Sequence, residues 1–376
     1  MRFTRFIALA TVGVSAVIAT GLMAAVPSLA SPHHLRHTFI GRFHRTRLIA
    51  STVPFNGDVN PYGVAVVRHN LGRLRRGNVL VSNFNNKSNL QGTGSTIVQI
   101  TPHGHRTVFA HIWQSALPRR CPGGIGLTTA LVIVHGWVIV GSTPSRDGTV
   151  ATSGPGCLLV LDNRGRVREL FTGHGINGPW DATAITQGWR GTLFVTNVLN
   201  GTKAANGRVV RRGTVLRFRL SFHPGRLPRI TNVTRIGSGF FQQSSASAFV
   251  IGPTGVGLAR CGSLYVADTG ENRITVIPHA LTRVTSAGTG AIVSQGGFLN
   301  GPLGLAIAPN GHVLTVNSGD GRIVETTPRG RQVATKFLDR SGSPPGAGAL
   351  FGLAVAPHGA GVYYVDDAVN TLRLLF

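Results

Sequence analysis

The sequence predicts an all-β fold: a six-bladed β-propeller, its ring closed by an N-terminal strand completing the last blade. Three observations carry this. A phrase recurs six times: a Pro, one residue, a Gly and an alternating apolar stretch, then a glycine turn and a second β-rich stretch ending in Asn or Asp. Its clearest copies are 48 and 49 residues apart, from Gly304 to Gly352 and from Gly255 to Gly304. That is the length of one four-stranded blade. Finally, 51 Gly and 20 Pro among 376 residues are too many helix breakers for a helical bundle. A hydrophobic share of 42% still leaves a sizeable core.

Taken in order, residues 1–30 read as an export signal. Arg2 and Arg5 precede an apolar run over 6–26, and Ser28 and Ala30 are the small residues of a cleavage site. The run is also long enough to span a bilayer, so an uncleaved anchor is the alternative. Either way the rest of the chain is expected outside the cytoplasm, secreted or periplasmic. Residues 31–44 form a basic tail with His33, His34, His37 and His44. An amino-terminal copper site there would need a backbone N–H that Pro32 lacks.

A single propeller domain is expected over 45–376. Its first two strands in each blade are clearest at 60–66 with 77–83, 252–258 with 262–268, and 301–311 with 313–317. Looser copies begin at Pro122, Pro179 and Leu350, and the copy at Pro179 carries Asp181 where others have Gly. Third strands follow at 96–100 and 273–277, and fourth strands at 106–109, 167–171 and 332–337. The last copy stops at Phe376 without a fourth strand; residues 45–51 are expected to supply it, removing an exposed sheet edge. A parallel β-helix fits less well, because its coils are much shorter.

The string Leu264-Tyr265-Val266-Ala267-Asp268-Thr269-Gly270-Glu271-Asn272-Arg273-Ile274 closely resembles the NHL-repeat signature, and 301–317 is similar to it. The resemblance extends from about Val53 to the end and is to exported bacterial NHL-like proteins. It implies the propeller fold but no one function, since such propellers bind peptides, glycans or nucleic acids or act as enzymes.

Propeller ligands usually sit at the channel mouth where chains enter the innermost strand and leave the second. This places Tyr62, Trp180, Asp181, Thr254, Leu303 and Phe351 there, with Asn83, Ser142, Asn197, Asp268, Asn317 and Asp366 at the ends of second strands. They would form a polar ring above an aromatic and apolar collar, suited to a sugar or peptide. The same Asn and Asp side chains equally well cap their own turns. Asp181 stands out because it replaces Gly.

A related family, the gluconolactonase group, is metal-dependent, with ligands between the Pro and Gly that open inner strands and a Glu at an earlier one. The matching positions are Tyr62, Gly123, Trp180, Thr254, Leu303 and Phe351, a poor oxygen set for a hard cation. Glu169, Glu271 and Glu325 fall in outer-strand or turn contexts. His103, His312 and His358 lie in or beside hairpin turns. No metal site, no cofactor and no catalytic set is therefore expected.

The net charge is +25, from 37 Lys and Arg against 12 Asp and Glu. In a cytoplasmic propeller this would suggest RNA; export makes nucleic acid an unexpected partner. An anionic cell-surface polymer or lipid headgroup is one explanation, and tolerance of acid surroundings, favoured by so few carboxylates, is another. A monomer is expected, touching membrane only through an uncleaved N-terminus. Three cysteines in an exported chain suggest one pair and one leftover thiol. Cys121 precedes the inner strand of the second blade and Cys157 opens its third strand, on the same face. A bridge would be worth about 3–4 kcal/mol by loop entropy. Cys261 sits at the opposite face, and three free thiols are the alternative. The function expected is a non-catalytic exported propeller binding an unknown glycan, peptide or protein at the mouth; the alternative is an extracytoplasmic hydrolase or lyase using the same mouth.

Overall fold

The computed structural model describes residues 38–244 and 248–376. The export segment and tail residues 31–37 lie outside the described residues. Strand β1 (Thr46–Ser51) comes first. Blade 1 is β2–β5 (Val59–Val66, Val79–Asn85, Thr96–Ile100, Arg106–His111). Blade 2 is β6–β9 (Leu127–Val134, Trp137–Ser142, Cys157–Leu161, Val167–Phe171). Blade 3 is β10–β13 (Gly178–Gln187, Arg190–Val198, Val210–Ser221, Arg229–Gln242). Blade 4 is β14–β17 (Pro253–Leu258, Leu264–Asp268, Arg273–Ile277, Ala291–Gln295). Blade 5 is β18–β21 (Pro302–Ile307, Val313–Asn317, Arg322–Thr326, Gln332–Phe337). Blade 6 is β22–β24 (Leu350–Val355, Val362–Asp366, Thr371–Leu375) with β1 as its fourth strand. Thr46 faces Leu375 and Ser51 faces Thr371 in antiparallel register, so the two chain ends close the ring as the missing strand requires.

The core lies between blades. Each of the six blade interfaces holds its own apolar cluster, such as Leu80, Ile97, Leu127 and Leu159 between blades 1 and 2. Alternating Val, Ile and Leu on both sheet faces supply these layers, because a blade is covered on both sides.

Every inner strand shifts register against its second strand at the same place, for example between Pro61 and Val64 and between Pro302 and Leu305. In blades 1, 4, 5 and 6 the shift sits on the repeat's Gly, replaced by Thr129 in blade 2 and Asp181 in blade 3, and the reason for the Gly is steric. A Cβ on Gly304 would lie 2.1 Å from the Phe351 carbonyl oxygen, and one on Gly352 2.0 Å from that of Tyr62. Neighbouring inner strands touch backbone to backbone here, which only glycine allows. Hydroxyls stitch the same level. Ser82 donates to the Thr128 carbonyl (2.7 Å) and Thr128 to that of Pro179 (2.8 Å). Thr196 donates to the Thr254 carbonyl (2.7 Å) and Thr254 to that of Leu303 (2.9 Å). Blades 1 to 5 are joined in sequence by these bonds.

The basic tail ends sooner than its expected boundary at residue 44. A short 3₁₀ turn, Ile40–Arg42, docks between blades 5 and 6, burying Phe39, Ile40 and Phe43. Its anchor is Glu325, expected in an outer-strand or turn context but wholly buried on β20. The carboxylate accepts the backbone N–H groups of Phe39 and Ile40, both at 2.8 Å. His312, expected to be solvated, holds its Nδ1 2.6 Å from the same carboxylate.

Candidate active site in the central channel

The sequence-predicted collar gathers where it was expected but is not open. Tyr62, Trp180 and Phe351 pack with Phe84, Phe249, Val150 and Val198 into an aromatic plug across that mouth. Tyr62 stacks on Phe351 with ring centroids 4.3 Å apart and meets Phe84 at 5.0 Å and Trp180 edge-on at 5.7 Å. Trp180 is only 2% exposed. Each such aromatic pair adds about 0.5–1.5 kcal/mol beyond its burial. Burial, helped by the charge of Asp367, pushes the Tyr62 phenol up. Leu303 and Thr254 are likewise buried at this level.

The polar ring is also shut. Asn83, Asn197, Asp268, Asn317, Asp366 and Ser142 are fully buried at the ends of their second strands. Asn83 donates to the Thr52 carbonyl and the Thr96 hydroxyl, and the Asn197 Oδ1 accepts the N–H groups of Asn177 and Gly178. Asn317 donates to the Phe298 carbonyl and to Asp320. Asp268 pairs with Arg273 at 2.8 Å, and Asp366 faces Arg373 at 3.9 Å. The Asn side chains and Ser142 bond to backbone that the turns leave unpaired, the two Asp face arginines, and none of the six is exposed. Burial pushes the Asp366 carboxyl up to about 6 and Asp367 to about 7; the neighbouring carboxylates add to this, and Arg373 partly offsets it at Asp366.

The accessible space lies beneath the plug. A channel of about 940 Å³ is lined by the innermost strands of all six blades, from the repeat glycines down to the hairpins at the opposite face. Most of its lining side chains are aliphatic, with Val64, Leu131, Ala184, Leu305 and Leu353 typical, while exposed polar groups share the wall about equally with them. At the hairpin face it meets a further space of about 1190 Å³ between the turns of blades 1, 4, 5 and 6. The open mouth is therefore the one opposite to that expected. The large rings at the entry ends close one mouth; Gly, Ala and Val along the inner strands keep the rest hollow.

Asp181 is the carboxylate of this channel among the described lining residues, next in chain to Trp180 of the plug. Blades 1, 4, 5 and 6 have Gly at the equivalent position, where a side chain would strike the next blade, and blade 2 has Thr129. Here the carboxylate makes the contact itself: its Oδ2 accepts the Val256 N–H at 3.0 Å, while the Thr196 hydroxyl accepts the Asp181 N–H. Burial pushes its carboxyl up to about 8, against the N–H bonds from Ala182 and Val256, which favour the charged form. Such a group exchanges a proton readily near neutral pH.

Cys121 and Cys157 form a disulfide, Cα to Cα 5.8 Å, and Cys261 is free and exposed at the other face. The bridge holds the loop that carries Val150 into the plug. Sequence reasoning missed Phe84, Phe249 and the hydroxyls of Ser82, Thr128 and Thr196. A small hydroxyl residue directly before the closing Asn, in Ser82-Asn83 and Thr196-Asn197, was the signal for two of them.

No protein-family model and no curated protein matches the chain. Solved structures do. A gluconolactonase from Xanthomonas campestris aligns with a TM-score of 0.53 at 12% identity, covering 89% of this chain and 90% of its own. Regucalcin, a calcium-binding protein from Agrobacterium tumefaciens, gives 0.52 at 13%, covering 87% and 93%. A streptogramin B lyase gives 0.50 at 14%, covering 88% and 97%. The likeness is one of fold.

The calcium of the regucalcin-like propeller has no fitting site here. The entry positions carry Tyr62, Thr128, Trp180, Thr254, Leu303 and Phe351, with Thr128 in place of the expected Gly123 because Leu127, not Pro122, pairs with the end of the second strand; among the described residues no group of three His, Cys, Asp or Glu could hold a metal. No helix among the described residues is long and apolar enough to cross a membrane.

Proposed function

We propose that the chain is an extracytoplasmic propeller enzyme of hydrolase or lyase type. Its substrate is a small organic molecule held in the central channel, and Asp181 is its proton-transfer group. The observation that carries this is a buried carboxyl, pushed above the usual carboxylate range by burial, in the wall of a channel of about 940 Å³. Pockets of this size suit small molecules. The enzymatic names among structures of the same fold, a gluconolactonase and a streptogramin B lyase, agree with it. The N-terminal export pattern and the disulfide agree with a place outside the cytoplasm.

The chemistry needs one group. In its ionised form Asp181 takes a proton from a water attacking a lactone or ester carbonyl. It returns that proton to the alkoxide that leaves as the C–O bond breaks. In an elimination the same carboxylate takes the proton from carbon instead, the C=C bond forms as the adjacent C–O bond breaks, and the leaving oxygen takes that proton back from Asp181. The bond to Val256 holds one carboxyl oxygen in place, so the other is the one that works.

A non-catalytic binding propeller is the second reading, favoured by the channel wall itself: near the plug it offers no other titratable side chain among the described residues. Asp181→Asn separates the two, because the amide oxygen still accepts the Val256 N–H while proton transfer is lost. On a panel of lactones and esters, turnover by the wild type is expected to fall about 10²–10⁴-fold in the variant, with binding of the same compounds unchanged and no loss of melting temperature. Binding without turnover in the wild type, or full turnover in Asp181→Asn, overturns the enzymatic reading.

A further inference from the structure

The turns of the two faces differ in charge. On the plugged face Asp58, Asp147, Glu271, Asp320, Asp339 and Asp367 are interspersed with basic residues such as Arg119, Arg146 and Lys203. On the open face the hairpin turns carry arginine instead, and the one Asp there, Asp162, is paired with Arg168. Around the open mouth stand Arg68, Arg76 and Arg260, all exposed, with His69 and His358 beside them. Arg68 and His69 also line the channel, so the basic cluster is continuous with the aliphatic walls. No carboxylate lines the mouth among the described residues. Glu325 in the adjoining blade is buried under Phe39 and Ile40 and bonded to their N–H groups.

Some arginines near this face are already engaged. Arg73 spends its guanidinium on the Val108 and Phe109 carbonyls, and Arg217 on that of Ala280. The guanidinium groups of Arg68, Arg76 and Arg260 make no hydrogen bond or ion pair among the described residues. Unpaired guanidinium groups around a concave site, with no acid among them, attract an anion and offer it forked donors.

We propose that the channel's ligand is an amphiphile with one anionic group. Its apolar body enters between the inner strands, and its carboxylate, sulfonate or phosphate is held at the open mouth by Arg68, Arg76 and Arg260. This rests on the reading of the channel as the binding site. It adds a substrate class: an anion with an apolar body, not a neutral sugar. Orientation follows, since the charged end stays at the hairpin face and the apolar end points toward Asp181.

The test uses two dyes of nearly the same aromatic body, anilinonaphthalene sulfonate and the uncharged phenylnaphthylamine, titrated by fluorescence into the whole protein. The sulfonate is expected to bind about tenfold more tightly at low salt, with the preference shrinking at high salt. The triple variant Arg68→Gln, Arg76→Gln, Arg260→Gln alters only exposed side chains. It is expected to erase the preference and leave the uncharged dye unaffected. Equal binding of both dyes by the wild type, or a preference that survives the triple variant, overturns the proposal. Ala184→Phe and Ala354→Phe, at half-exposed wall positions, narrow the channel and are expected to weaken both dyes. If both dyes bind these variants unchanged while their melting temperatures hold, the dyes lie outside the channel, and the reading on which the proposal rests falls with it.

Discussion

Glu325 shows what one side chain does in this fold. Its carboxylate is fully buried and collects two backbone N–H groups, the His312 ring and the Asn310 amide. Glu325→Ala strands the Phe39 and Ile40 donors in an apolar pocket, at about 1–3 kcal/mol for each. The expected outcome is a lower denaturation midpoint and new protease cleavage before residue 45. An unchanged digest would mean that burial of Phe39 and Phe43 alone holds the segment. Asp181 is the second case. Its departure from Gly was legible in the sequence, but its bond to Val256, 75 residues away, was not. The sequence-predicted polar ring failed at this scale for a related reason. Asn or Asp after a strand serves a turn as well as a ligand, and the spacing is the same for both.

At the scale of elements, the loop between β7 and β8 depends on its covalent tie. Cys121 and Cys157 fasten it beside the inner strand, and Val150 within it packs on the plug. Reducing the bond is expected to cost about 3–4 kcal/mol. Thiol titration of the denatured protein should rise from one group to three, and the urea midpoint should fall. Three free thiols before reduction would remove the bridge from the account. The blades themselves were the most legible elements, because each repeats a strand–turn pattern within about 50 residues. The docked turn Ile40–Arg42 was not, since nothing in its own sequence names a partner that lies more than 280 residues away.

For the whole molecule, the buried carboxyls set how stability changes with pH. Asp181, Asp367 and Asp366 are pushed up to about 8, 7 and 6 by burial, and Asp268 is raised too. In the unfolded chain these groups ionise near pH 4. Between those limits the folded state holds protons that the unfolded state has released. Stability is therefore greatest at the acid side and falls as pH rises from about 4 to about 8. His111, lowered by burial, works the other way, losing its contribution as pH falls below about 6.5, but it is one group against four. The melting temperature is expected to be higher near pH 5 than near pH 8, and Asp181→Asn should flatten the curve. A maximum at or above pH 8 would contradict it. Such a profile agrees with the acid-tolerant reading of a chain with only 12 acidic residues.

The sequence by itself determined the number of blades and the strand that closes the ring, and it favoured the pairing of Cys121 with Cys157 that the structure shows. Each of these rests on a local pattern or a repeat, which the backbone must satisfy wherever the rest of the chain goes. Tertiary structure alone decided which end of the channel is open. That depends on side-chain volumes at six strand ends brought together by ring closure, with Phe84 and Phe249 arriving from different blades to complete the plug. No single repeat contains that information, because the plug exists only once all six blades share one axis.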